Sequence, residues 1–130
     1  MARNQIQVDE IIDYMNTLVP ITNLVWNRIY FGLPFDEVDT SWPYITINIV
    51  SEVNQEYSKW TLLEFRYIAD ANSTFKNLMD IREVVINQLT WIRNFGNMKV
   101  YGVIEESVRQ WYDTKNQKNI IQDMRFYFVS

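Results

Sequence analysis

The sequence contains no cysteine and no histidine, and only three glycines and three prolines among its 130 residues. Without cysteine there are no disulfides and no thiolate nucleophile, and the redox compartment leaves no mark on the chain. Without histidine the usual general base at neutral pH is missing, as is the usual nitrogen ligand for zinc, copper or iron. A Ser-His-Asp arrangement is impossible. Three glycines leave no room for a G-x-x-x-x-G-K-[ST] phosphate loop, for G-x-G-x-x-G or for G-x-S-x-G.

Carboxylates are the remaining route to hydrolysis or metal binding, and their placement does not favour either. Glu105 and Glu106 are adjacent in a strand-like segment, so they point apart and only one reaches any one site. Asp9, Glu10 and Asp13 open a helical pattern. They read as a cation site or as a solvated first turn favoured by the helix dipole, and the second reading is the better one. The trio Asp36, Glu37 and Asp39 lacks the glycine and the further oxygen ligands of a calcium loop. No enzyme activity, no metal and no cofactor is expected.

The charge balance narrows the partners. The net charge is −4 and the pI about 4.8, and the twelve basic residues are scattered singly. Phosphate binding needs a concentrated excess of Lys and Arg, so nucleic acid is excluded as the main ligand, and an anionic membrane surface with it. No stretch approaches the ~20 apolar residues of a membrane span. The opening MARNQIQVDE has no apolar core of a secretory signal. An aqueous compartment is expected, or a particle assembled there.

Aromatic residues are plentiful: five Trp, eight Tyr and seven Phe. A single domain of this size, 1–130, does not easily enclose so many rings. Some serve either as anchors for a partner at the rims or as parts of a ring-rich core. Trp42, Trp60, Trp91 and Trp111 fall at loop edges, strand ends or a helix end. Trp91 fits the core reading better, whereas Trp42, Trp60, Trp111 and Tyr112 are the candidate interface residues.

Periodicity supplies the fold. Val8, Ile11, Ile12, Met15, Leu18 and Val19 form one helical stripe, and Pro20 is expected to end it. Residues 24–31 read as a first strand, and 32–42 as a long loop carrying Gly32, Pro34 and the acidic trio. A second strand over 44–52 places Ile45, Ile47 and Ile49 on one face, and a third over 59–69 does the same for Leu63, Phe65, Tyr67 and Ala69. Asn72 or Ser73 is the expected cap of a second helix over 74–93, whose stripe is Phe75, Leu78, Ile81, Val85, Leu89 and Ile92. Residues 98–104 read as a fourth strand with Gly102 as a bulge site, 108–113 as a fifth, and 120–129 as the last, with Met124, Phe126 and Phe128 on its apolar face. The predicted class is α+β, a mostly antiparallel sheet with two helices packed on one face, in the order α-β-β-β-α-β-β-β.

This order, the strand opened by SWPYITINIV, the long helix over 74–93 and the closing strand QDMRFYFVS resemble the phage tail-terminator (tail-completion) family over nearly the whole chain. The resemblance implies a virion protein, assembled in the host cytoplasm, that forms a hexameric ring at the head-proximal end of a tail. Its partners would be the tail-tube protein and the head connector, with DNA passing through the lumen unbound. A ring needs one patch of each subunit to meet a different patch of the next. An acidic chain suits such a lumen, because negative walls repel phosphate. Asp36, Glu37 and Asp39 would then face the lumen or the tube, or form a solvated outer loop. Another neck protein (head closure or connector), or a monomeric module that binds a partner at a sheet edge, are the alternatives.

Overall fold

The stripe that begins at Val8 folds as helix α1 (Val8–Met15), with Val8, Ile11 and Met15 buried and Asp9 and Glu10 in its first turn. The computed structural model describes residues 8–26, 28–32, 43–55, 58–70, 73–90, 94–95, 98–112 and 117–129. Pro20 has a different role from the one expected. The chain turns at Asn16 and Thr17, and Pro20 then sits in the first turn of a second helix, α2 (Val19–Val25). Proline has no N–H to lose there, and its fixed φ suits a helix start. Ile21 and Val25, four apart, are buried on one side of α2. The strand expected over 24–31 is thereby corrected to three residues, β1 (Ile29–Phe31).

Strands β2 (Tyr44–Gln55) and β3 (Ser58–Ala69) form an antiparallel hairpin. Helix α3 (Phe75–Leu89) follows, then the two-residue strand β4 (Asn94–Phe95). A second antiparallel hairpin, β5 (Met98–Tyr112) with β6 (Lys118–Val129), ends the chain. The sheet has six strands in the order β1-β2-β3-β6-β5-β4. Only β1 and β2 run parallel. The α+β class, the mostly antiparallel sheet and the packing of helices on one face are as expected, with α2 added to the helices.

The core lies between the helices and one face of the sheet. Ile45 and Ile47 of β2, Leu63, Phe65 and Tyr67 of β3, and Met124, Phe126 and Phe128 of β6 all point into it. Leu78, Ile81, Val85 and Leu89 of α3 close it from the helix side, with Met79, Val84 and Ile86 at the margin. The Phe65 and Phe126 rings stack with centroids 6.2 Å apart, an arrangement worth roughly 0.5–1.5 kcal/mol beyond the area buried.

Three bulges modify the two outer long strands. Val50 in β2 and Tyr101 and Glu106 in β5 each stand without a partner in the register. Each is exposed. Gly102 does lie beside a bulge, as its sequence position suggests. The separate fourth and fifth strands are corrected to the single strand β5. The extra residue Glu106 breaks the two-residue period, and on sequence such a break looks like a turn.

The cap of α3 is Thr74, whose hydroxyl oxygen accepts from the Asn77 N–H at 3.1 Å. This corrects the choice of Asn72 or Ser73, because a cap must sit directly before the first helical residue to reach the N–H groups of that turn. Thr74→Ala is expected to cost about 1 kcal/mol. It should lower the midpoint of urea unfolding while leaving the slope of the transition unchanged.

Candidate protein-interaction surface

Side chains alternate across a strand, so each one in the sheet faces either the helices or the opposite side. The helix-facing side holds one buried polar chain. The Tyr67 hydroxyl donates to Gln122 Oε1, Gln122 Nε2 donates to Glu105 Oε2, and Arg82 Nη1 of α3 donates to the same oxygen. Tyr67 and Gln122 are fully buried. Burial pushes the Tyr67 hydroxyl well above its usual pKa; the Arg82 charge pulls it down and Glu105 pushes it up. The chain ties β3, β5, β6 and α3 together through three side-chain hydrogen bonds.

On the opposite side the sheet carries charges and rings in alternation. Arg66 Nη2 lies 3.1 Å from Glu64 Oε1. Arg109 reaches Asp123 at 3.4 Å and Glu64 at 4.0 Å. Ser107 Oγ donates to Asp123 Oδ2 at 2.9 Å. Arg125 lies 2.7 Å from Glu106. Two guanidinium groups also lie over indole rings, Arg125 at 4.1 Å from the Trp60 centroid and Arg66 at 5.5 Å from that of Trp111. These side chains keep part of their surface in solvent, which screens the pairs and holds each contribution to on the order of 1 kcal/mol. Their consequence is a face on which opposite charges are matched and the rings between them are held in place.

Three sequence-nominated residues can be located. Trp60 and Trp111 share the charged face, Trp60 opposite Tyr127 and Trp111 opposite Asn119. Trp60 is half-buried under Arg125, whereas Trp111 is 46% exposed. Tyr112 turns to the other side, as adjacent strand residues must, and meets Phe75 edge-on at 5.1 Å. Trp42, Trp91, Asp36, Glu37 and Asp39 lie outside the described residues. Asp9 and Asp13 are exposed on α1. Among the described residues no three carboxylates converge on a metal-sized point. Among them, too, no helix is long and apolar enough to cross a membrane.

Other exposed apolar residues were not evident from the sequence. Tyr101 and Ile104 project from β5, and Ile49 and Val50 from β2. Their exposure follows from the strand order and the bulges, neither of which has a local signal. Trp26 is 66% exposed just after α2. Its φ of 58° lies in the region that side chains seldom adopt, and nothing in the local sequence marks this.

The sequence matches no established protein family and no curated protein. By structure the chain is similar to a chain of a solved particle described as the virion of a native gene transfer agent. The TM-score is 0.68 at 11% identity, covering 92% of each chain. At that identity the likeness is one of fold.

Two measurements probe the faces of the sheet. Trp60→Ala removes the stacking partner of Arg125 and should destabilise the protein by about 1 kcal/mol. Trp111→Ala should stay within about 0.5 kcal/mol of the parent, as expected of an exposed position. Tyr67→Phe leaves the buried Gln122 oxygen without a donor and should cost about 1–3 kcal/mol near neutral pH. The alkaline limb gives the sign. The folded pKa is raised, so the parent's advantage is intact below the unfolded value of about 10 and is lost as pH rises through the folded one. Urea unfolding at neutral and alkaline pH should therefore show a gap between parent and Tyr67→Phe that narrows with pH.

Proposed function

We propose that this chain is a structural protein of a tailed, phage-like particle. In particular, we propose a tail-terminator role, as a hexameric ring that caps the tail tube at its head-proximal end and joins it to the head connector. The observation that carries this reading is the fold likeness, over 92% of both chains, to a chain of a gene transfer agent virion. In this reading the protein has no catalytic role, is assembled in the host cytoplasm and resides in the virion.

The chemistry of the surface supports assembly. A closed ring is built from a heterologous contact, in which two different patches of the same subunit meet. The sheet has two different margins, one along β2 and one along β5, each with exposed apolar residues. The charged face presents matched pairs and rings rather than a concentrated basic patch. With a net charge of −4, such a ring would let DNA pass without holding it.

Electron micrographs of particles made without this protein test the role. Overlong or headless tails are expected if it terminates the tube. Normal tails beside empty or leaking heads would assign it to another part of the neck.

A further inference from the structure

Among the described residues, the two long outer strands are each paired on their outer side over only part of their length. On β2, the short strand β1 pairs with Ile45, Thr46 and Ile47, and among the described residues nothing pairs with the outer side of 48–55. On β5, β4 pairs with Met98 and Lys99, and among the described residues nothing pairs with the outer side of 100–112. An uncovered strand edge presents a row of backbone N–H and C=O groups ready for another strand, and proteins ordinarily blunt it.

The rows of the sheet show what each edge fits. Through β3 and β6, Ser51 lies in one row with Leu62, Arg125 and Ile104. Glu52 lies in one row with Thr61, Phe126 and Val103, and Val53 with Trp60, Tyr127 and Gly102. Moving a second copy sideways by the width of the sheet therefore sets its Ser51, Glu52 and Val53 beside Ile104, Val103 and Gly102 of the first. Polarity agrees as well. β2, β3, β6 and β5 alternate in direction, so β5 of one copy and β2 of the next run antiparallel, continuing the pattern of the sheet. Exposed apolar residues flank this stretch on both margins, Val50 next to Ser51 on one and Ile104, in the row of Ser51, on the other. The Tyr101 and Glu106 bulges bracket residues 102–105, which confines pairing to this window and fixes its register.

We infer that β5 of one copy pairs edge to edge with β2 of the next through residues 102–105 and 49–53, making the sheet continuous between subunits. This inference rests on the ring reading above and names its contact. The occupant is a second copy of this chain, because the matching strand level, polarity and apolar content are all found on its own opposite margin.

The cysteine-free chain allows a direct test. A variant carrying both Ser51→Cys and Ile104→Cys is oxidised, then run on native gels and on non-reducing denaturing gels. Opposed residues in an antiparallel pair lie within disulfide reach. A ladder of linked chains is expected from the double variant and single chains from either Cys substitution alone. Linked dimers from Ile104→Cys alone would overturn the head-to-tail contact in favour of a two-fold pairing of β5 with itself. A multi-subunit native assembly that yields only single chains under denaturing conditions would overturn the edge pairing and leave the ring reading standing. A ladder that grows without limit would support the edge pairing and count against a closed ring, whereas single chains on both gels would overturn both. Ile104→Lys provides the second arm. It should raise the concentration needed for assembly about tenfold or more, with no shift in the urea midpoint at dilutions where parent and variant are both unassembled. Unchanged assembly by this variant would also overturn the contact.

Discussion

The pairing of β3 with β6, from Trp60 opposite Tyr127 to Ala69 opposite Lys118, joins two hairpins that are far apart in sequence. The other described elements are arranged around that seam. Its core side holds Leu63, Phe65 and Tyr67 next to Gln122, Met124 and Phe126, and α3, which lies between the hairpins in the chain, packs across it. The Tyr67–Gln122–Glu105–Arg82 chain bonds the seam to β5 and to the helix. Placing β3 and β6 at the centre pushes β2 and β5 outward, where among the described residues only part of each outer edge is paired.

Elements whose side chains repeat with one period were legible in the sequence. The α3 stripe of Leu78, Ile81, Val85 and Leu89 and the alternating faces of β2, β3 and β6 are found as read. The misreadings come from places where one residue type serves two geometries. Pro20 reads as a helix stop but sits in the first turn of α2, and the Leu24-Val25-Trp26 segment beyond it suits a strand by propensity while Val25 is held by helix packing. Glu106 imitates a turn because a bulge removes one step of the alternation. The candidate surface was legible only in part. Trp60 and Trp111 could be nominated as rings, but their common face depends on the pairing of β3 with β6 and of β6 with β5. The exposure of Tyr101 and Ile104 depends on strand order, which no local window contains.

The two faces of the sheet divide stability from recognition. The helix side encloses apolar groups and the polar chain from Tyr67 to Arg82, and substitutions there act on folding. On the other side, paired charges and guanidinium-backed indoles add little to stability and leave Trp111 and Ile104 accessible. The fold shared with a gene transfer agent virion chain at 11% identity fits this division. Pairing through backbone edges demands less of particular side chains than a catalytic site would.

The proposed ring makes each chain one subunit of a closed assembly. Sedimentation equilibrium of the unmodified protein across a wide concentration range tests it most directly. The expected result is a single limiting species at six times the 15.7 kDa chain mass, with no larger polymer. A species that stays at 15.7 kDa up to the highest concentration would contradict the claim and favour a monomeric binding module.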